Sequence, residues 1–361
     1  MQPNPALGVA IFALGGLAGA VFYLPFKKVK NWAWESYWMI YAIAGLVIVP
    51  WVLAFTTSPN VCSVLKQAPN KELIYCYLCG ALWGVGGLTW GLMIRYLGVG
   101  LGLAIGCGLC SAAGTLMPPI LKGNISSLYG SPSANMSLLG ILVSIVGIVM
   151  VGMACMSKEK ELPEEEKKKA VAEYNFGKGM MVAIFSGLTS SGMSFGLQGG
   201  ITIESLALTT APMTSNTWKG IPVLVVVLLG GFTINFLWCL FLNMKNKTTG
   251  DYVKSGTPIV ANLLFAGLAG AIWCSQFISF KTGEPPMGKM GYIGWAVLMA
   301  SAILFSTLLG LFLGEWKGTS QRTHRLLAIG LVLLIGSTVI AGYSGYLGQS
   351  KVPEVPALTT P

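Results

Sequence analysis

The chain has 361 residues, of which 54% are apolar and only 10% are charged, and its net charge is +10. A typical soluble domain carries about 25% charged residues, so this composition excludes a water-soluble protein and favours a chain solvated by lipid. Because the basic residues lie in short connectors between apolar stretches and form no single basic face, the charge does not predict a nucleic-acid partner.

Ten runs of mainly apolar residues approach the length of about 20 residues that a helix needs to cross a bilayer. They lie at 6–26, 36–56, 73–94, 97–121, 136–156, 178–200, 220–243, 258–280, 291–314 and 326–347. The third and fourth runs are nearly continuous and are separated only by Arg95-Tyr96-Leu97-Gly98. The sequence therefore predicts an all-α, polytopic membrane protein of ten transmembrane helices, with the lipid bilayer as a partner.

Basic residues are divided unequally between the two sets of alternating connectors. Sixteen Lys and Arg fall on one set, and seven fall on the other: Lys66, Lys71, Lys122, Lys219, Lys281, Lys289 and Lys351. Cytoplasmic connectors carry the excess of positive charge in such proteins. We therefore expect the first set to be cytoplasmic and both termini to lie outside.

One strongly polar stretch divides the chain into two halves of five spans each. We expect a first five-helix repeat at 1–157, a polar cytoplasmic linker at 158–177, a second five-helix repeat at 178–347 and a disordered, Pro-rich tail at 348–361.

The two halves resemble each other in sequence. Val9-Ala10-Ile11-Phe12 recurs as Val182-Ala183-Ile184-Phe185, and Leu78, Gly80, Ala81 and Trp83 match Leu268, Gly270, Ala271 and Trp273. Because five is an odd number, the second copy crosses the membrane in the opposite sense. Two inverted five-helix repeats around a midplane site are the architecture of many secondary transporters, in which one half rocks against the other.

Amide and indole side chains within the spans are candidates for a solute site. Amides suit the hydroxyl groups of a sugar, and indoles suit its apolar face. The predicted substrate-binding residues are Trp83, Trp90, Gln198, Asn262, Trp273 and Gln276. The alternative for these polar groups is hydrogen bonding between helices, and a stripe of Gly80, Gly84, Gly87 and Gly91 favours close helix contact.

Ionisable residues are almost absent from the spans. Glu35, Arg95 and Glu315 lie at the predicted cytoplasmic ends, and Glu204 lies on the outside. A carboxylate that alternates between its protonated and ionised forms can couple a proton to transport. We expect Glu35, or as second choice Glu315, to take the proton, with Arg95 pairing with it or tuning it. The alternative is a salt bridge or a solvated helix start.

Enzyme signatures are missing from the sequence: it has no HExxH motif, no P-loop and no plausible set of nucleophile, base and acid. The CxxC pairs Cys76/Cys79 and Cys107/Cys110 have no accompanying His or carboxylate, so we interpret them as small, buried residues and not as a metal or redox site. No enzyme activity, cofactor or metal is predicted.

A long string in the first half resembles a signature of the bacterial L-rhamnose–proton symporter family, within the drug/metabolite transporter superfamily. This string runs from Phe22 to Glu35, FYLPFKKVKNWAWE, and is followed by Ala81-Leu82-Trp83-Gly84 and Arg95-Tyr96-Leu97-Gly98. The resemblance implies ten helices, the inner (plasma) membrane of a bacterium, and uptake of a 6-deoxyhexose, L-rhamnose, with a proton. It assigns no proton carrier.

The connectors at 202–219 and 281–290 depart from the family pattern in charge and length, and so leave the choice of sugar open. The leading hypothesis is a sugar–proton symporter that works by alternating access. The alternatives are a transporter or exporter of another small metabolite on the same scaffold, a membrane sensor or assembly factor, and a membrane-embedded enzyme. The sequence predicts no oligomeric state and does not distinguish proton from sodium coupling.

Overall fold

The computed structural model describes residues 4–123, 125, 128–161 and 175–349, and these residues form helices and no strands. The helices are α1 (Pro5–Val21), α2 (Trp34–Thr57), α3 (Val61–Gln67), α4 (Asn70–Leu121), α5 (Pro132–Glu161), α6 (Phe176–Ser190), α7 (Gly192–Gly199), α8 (Ile201–Thr209), α9 (Ile221–Lys245), α10 (Ile259–Met287), α11 (Gly294–Phe312) and α12 (Gln321–Gln349). Three short 3₁₀ turns, Leu24–Lys28, Thr249–Val253 and Gly288–Ile293, lie between them.

Nine segments of the described part are long and apolar enough to cross a membrane. Helix α4 supplies two of them, Asn70–Gly98 and Ala104–Leu121, whereas α10 and α11 together form one, Ile259–Phe312. The prediction of an all-helical, multi-pass membrane protein is therefore confirmed. The count of ten spans stays a prediction.

The division of α4 into two arms occurs at Gly98. Its φ of 78° and ψ of 169° are not helical, and a positive φ favours glycine because a Cβ atom would be strained there. The break that the sequence predicted within 95–98 is confirmed.

Two predicted connectors are partly helical in the structure. Helix α10 continues to Met287, so the prediction of a connector at 281–290 is wrong for its first seven residues. Similarly, 202–219 includes most of α8. Both corrections matter for function because they place Lys281, Glu284 and Glu204 on helices.

Helix ends gather at two opposite faces of the bundle. At one face, which we call the N-terminal face, Gly8 near the start of α1 packs against Met287, and Gly345 near the end of α12 packs against Pro5. At the other, which we call the Glu35 face, α2 begins beside the 3₁₀ turn Thr249–Val253. Helix α1 lies between α10 and α11, and the first arm of α4 packs against α9 and α6.

Carboxylates from distant segments accept hydrogen bonds from backbone N–H groups at the starts of three helices. The Asp251 Oδ2 atom accepts from the Ala33 N–H at the start of α2, at 2.8 Å. Glu72 accepts from the N–H of Ile203 in α8 at 2.9 Å, and Glu161 accepts from the N–H of Ser320 before α12 at 2.6 Å. Because the first N–H groups of a helix have no partner within it, these contacts fix where neighbouring helices meet.

Most of the predicted linker and tail lies outside the described residues. Helix α5 extends to Glu161, and α6 begins at Phe176, so both ends of 158–177 are helical. The remainder of the linker, 162–174, and most of the tail, 350–361, are not described. The domain boundaries thus stay predictions.

Candidate functional site

A cavity of about 770 Å³ lies at the N-terminal face, where α4, α7 and α10 end and α8 begins. Six charged residues line it: Lys122, Glu204, Lys219, Lys281, Glu284 and Lys289. Polar groups come from Gln198, Asn216 and Tyr292, and apolar surface comes from Pro119, Ile201 and Pro285. A cavity of this size with a few orienting polar groups falls in the range of about 300–1,000 Å³ typical of small-molecule sites.

Lys281 is the central charge of the cavity. Its side chain is only 2% exposed, and its ammonium group contacts three acceptors. The Nζ atom lies 2.5 Å from Glu204 Oε1, donates to the Leu197 carbonyl at 3.0 Å, and also pairs with Glu284. A buried ammonium group is strongly destabilising unless it is paired in this way, so Lys281 holds α10 to α7 and α8.

Gln198 is held at the cavity by a ladder of hydrogen bonds. Its Nε2 atom donates to Ser194 Oγ at 2.7 Å and to the Gly114 carbonyl at 3.3 Å, and Ser194 Oγ donates to the same carbonyl at 2.6 Å. These contacts use the amide nitrogen. An amide oxygen can accept as well, so the Gln198 side chain retains an acceptor for a solute hydroxyl.

Aromatic side chains form a layer next to the charged cavity, about one to two helical turns before Lys281 on α10. The rings of Trp83 and Trp273 lie 4.9 Å apart, and the rings of Trp273 and Phe277 lie 4.5 Å apart. Trp295 stacks on Phe277 and is 2% exposed. This layer separates the cavity from the Glu35 face with apolar surface.

Two of the predicted amides make contacts within the protein and lie outside the cavity lining. Asn262 is fully buried and clamps the backbone of Lys30, accepting from its N–H at 3.0 Å and donating to its carbonyl at 2.8 Å. Gln276 is 5% exposed, and its side-chain oxygen faces Gly19 of α1. Asn262 thus joins α10 to the segment between α1 and α2, and Gln276 faces α1.

Glu35 lies at the opposite face from the cavity and is buried. Its Oε1 atom accepts from the Asn246 amide at 2.8 Å and from the Thr248 hydroxyl at 3.0 Å. Next to it, Ser36 Oγ donates to Asp251 Oδ2 at 2.8 Å. These bonds join the start of α2 to the segment that follows α9, so this face of the bundle is closed here.

The other predicted residues are dispersed. Trp90 donates from Nε1 to Ser190 Oγ at 2.9 Å, which joins α4 to α6. Arg95 is exposed just before the break at Gly98, and Glu315 is exposed after α11. The structure therefore brings Trp83 and Trp273 together and puts Gln198 on the cavity. None of the other predicted site residues is among the lining residues that the described part provides.

The cluster of Lys281, Glu284 and Glu204 was not predicted from the sequence. Gly283 and the two prolines that follow Glu284 resemble a connector, so the helix was expected to end at 280. The available signal was the spacing of Lys281 and Glu284, since residues three apart share a helix face. This pair of charged residues follows the apolar run of α10 without a break in the sequence.

Comparison with known proteins gives one consistent family. The family model described as L-rhamnose-proton symport protein (RhaT) matches residues 1–346. An L-rhamnose-proton symporter of Pectobacterium atrosepticum is 32% identical over 345 residues, covering 94% of this chain and 98% of the relative. L-rhamnose-proton symporters of Yersinia pestis and Yersinia pseudotuberculosis are 31% identical over 340 residues, covering 93% of this chain and 97% of each relative.

Proposed function

Because the chain belongs to the L-rhamnose-proton symport protein family, we propose that it imports L-rhamnose together with a proton by alternating access. The family consists of transporters and not of enzymes. The observation that carries the proposal is a match over nearly the whole chain together with a polar cavity at one face of the helical bundle. The proposed location is the inner membrane of a bacterium.

The proposed architecture has ten spans. The segment Ile259–Phe312 is 54 residues long, more than twice the roughly 20 residues that one crossing requires. It contains two helices, α10 and α11, with the 3₁₀ turn Gly288–Ile293 between them. Counting these helices separately raises nine segments to ten.

Two inverted repeats, 1–157 and 178–347, are also part of the proposal. The matched residues Trp83 and Trp273 are 190 positions apart and contact each other, as expected for equivalent residues beside a two-fold axis in the membrane plane. Gly80 brings α4 against the backbone of α9, and its match Gly270 brings α10 against the backbone of α2. Equivalent helix pairs thus cross at equivalent glycines.

We infer that the cavity faces outward. The excess of Lys and Arg on the Glu35 side favours a cytoplasmic location for that face, and the N-terminal face with both termini then lies outside. The bonds of Glu35 to Asn246 and Thr248 close the cytoplasmic side, as does the contact of Glu161 with Ser320. Import requires these bonds to open after the cavity has closed around its solute.

The cavity chemistry suits a 6-deoxyhexose. Hydroxyl groups of the sugar can exchange hydrogen bonds with Gln198, Asn216 and Tyr292, and its methyl group can pack against Pro119 or Ile201. The aromatic layer supplies apolar surface next to the cavity. The sequence-based assignments of Trp83, Trp90, Asn262, Trp273 and Gln276 to sugar binding stay predictions.

Gln198 offers a direct test of the sugar site. We expect Gln198→Leu to raise the KM for L-rhamnose about 3- to 10-fold, because a net hydrogen bond contributes about 0.5–1.5 kcal/mol. Initial rates of labelled L-rhamnose uptake into proteoliposomes measure the change. Gln67→Leu, on the exposed end of α3, is the control for loss of an amide. An unchanged KM in Gln198→Leu would remove this residue from the site.

Glu35 as the proton carrier stays a prediction and is tested by Glu35→Gln. The amide oxygen of glutamine can still accept from Asn246 and Thr248, so we expect the variant to fold and the closed face to persist. We further expect accumulation driven by a pH gradient to stay within about 2-fold of the wild type, as for a group that contributes only hydrogen bonds. Loss of accumulation with sugar exchange intact would assign the proton to Glu35.

The function itself is tested by uptake into proteoliposomes with an imposed pH gradient, acid outside. We expect labelled L-rhamnose to accumulate, unlabelled L-rhamnose to compete, and a proton ionophore to abolish the accumulation. Accumulation that follows a sodium gradient, or transport of another solute only, would overturn the proposal.

A further inference from the structure

The charged cluster in the cavity has two carboxylates around one buried ammonium group, that of Lys281. Lys281 has three N–H groups, and its contacts with Glu204, Glu284 and the Leu197 carbonyl match them in number. Two carboxylates thus share one ammonium group whose side chain is 2% exposed, while their own side chains are 19% and 17% exposed. With both carboxylates ionised, two like charges lie close together across the ammonium group that they share, which disfavours the ionised form of the less well paired one.

The two carboxylates differ in their other partners. Glu204 on α8 also has Lys219, whose Nζ atom lies 3.6 Å from Oε2. Glu284 lies three residues after Lys281 on α10 and is paired with that lysine. Of the two carboxylates, Glu284 is the one more readily protonated when water leaves the cavity, because among the described residues Glu204 has a second cation within 4 Å and Glu284 does not.

Other titratable groups face the cluster from every surrounding element. Lys122 comes from the end of α4, Lys219 from the segment before α9, and Lys289 and Tyr292 from the turn after α10. Glu72 and Cys76 approach from the start of α4. Lys122 and Lys289 are exposed at the cavity rim, so water screens them from the buried centre.

Closure of the cavity makes the ionised form of Glu284 costly, because Lys281, its ion-pair partner, is shared with Glu204. A carboxylate that is only partly compensated is penalised in a site without water, and protonation removes its charge. A solute-loaded transporter would therefore close more readily after it has bound one proton. Closure that requires both the solute and the proton couples their movements, as symport needs.

We propose that Glu284 binds the proton that travels with the sugar, and that Lys281 and Glu204 position its carboxyl group. This inference rests on the proposed function and specifies its proton site. The proton adds to the Glu284 carboxylate from the outer solution, and the resulting carboxylic acid releases it on the cytoplasmic side. No redox step or further reactant is involved.

The test separates movement of the sugar from movement of the proton. Wild type and Glu284→Gln are reconstituted, and two rates are measured: exchange of labelled for unlabelled L-rhamnose at equal pH, and accumulation under a pH gradient. We expect Glu284→Gln to retain exchange, which becomes independent of pH, and to lose accumulation, so that the inside-to-outside ratio of L-rhamnose falls to about 1.

Glu72→Gln is the matched control, because it changes a carboxylate to an amide at the same face and its oxygen can still accept from the Ile203 N–H. It is expected to keep both exchange and accumulation. Glu284→Asp tests the site if the glutamine variant fails to fold: it should accumulate sugar with a shifted pH profile, and an unshifted profile would overturn the assignment.

Three outcomes contradict the proposal in different ways. Accumulation that persists in Glu284→Gln excludes Glu284 as the proton site and leaves the transport function standing. The loss of accumulation with retained exchange in Glu204→Gln, and not in Glu284→Gln, moves the proton to Glu204. If the wild type neither exchanges nor accumulates L-rhamnose, the proposed transport function is wrong, and the assignment of the proton to Glu284 is wrong with it.

Discussion

Replacing Lys281 with methionine is expected to lower the stability of the folded protein by about 3 kcal/mol and to abolish sugar uptake. The change leaves Glu204 and Glu284 next to each other without their shared cation, and it removes the contact to the Leu197 carbonyl. Thermal unfolding of the purified protein in detergent, followed by tryptophan fluorescence, measures the loss.

The pH dependence of this loss identifies its cause. Acid protonates the unpaired carboxylates and relieves their repulsion, so Lys281→Met should recover stability relative to the wild type as the pH falls from 8 to 5. The double variant Lys281→Met with Glu284→Gln should recover part of the stability at neutral pH. Lys71→Met, an exposed lysine at the same face, is the control. Equal unfolding temperatures for the two lysine variants would show that the buried cluster does not stabilise the fold.

Gly80→Ala is expected to lower stability by about 1–3 kcal/mol although alanine is the better helix former. A Cβ atom at Gly80 would overlap the carbonyl oxygen of Val227 in α9, and Gly230 of α9 is equally close to the carbonyl of Tyr77. Because backbone meets backbone at this crossing, no side-chain rotation can relieve the overlap, and the helices must separate.

Gly91 provides a control within the same helix and the same glycine stripe. A Cβ atom there has nothing within 4 Å, so Gly91→Ala should be neutral or stabilising by up to about 1 kcal/mol. Gly270→Ala should resemble Gly80→Ala, since a Cβ atom at Gly270 would overlap the carbonyl of Tyr41. If Gly80→Ala and Gly91→Ala unfold at the same temperature, close packing of α4 on α9 does not stabilise the protein.

The membrane fold could be predicted from the sequence because the cost of exposing polar backbone to lipid leaves helices as the solution for long apolar runs. The break at Gly98 could be predicted as well, since a short polar interruption between two runs needs a change of direction. Gln198, Trp83 and Trp273 were predicted to bind substrate. The structure puts Gln198 on the cavity lining and brings the two indole rings together, while substrate binding by all three stays a prediction.

The division of polar residues between lining and structural roles could not be predicted. Asn262 and Gln198 are both polar residues within apolar runs, so the sequence gives them the same interpretation. In the structure, Asn262 makes hydrogen bonds to the backbone of Lys30, whereas Gln198 lines the cavity. That difference depends on which distant segment arrives opposite each amide. Lys281 and Glu284 were missed for a related reason: local signals for a connector were outweighed by an ion pair with α8 and a second ion pair within α10, which stabilise the helix beyond residue 280.

The matched tryptophans have a consequence for how the two sides of the membrane differ. With the same spacing of 190 positions, Lys281 and Glu284 correspond to Gly91 and Ile94, neither of which can ionise. Two matched helices would thus carry different chemistry: α10 has an ion pair where the corresponding positions of α4 have two apolar residues. Loading and discharge of the solute would therefore follow different kinetics, although the gradients alone set the direction of net flow.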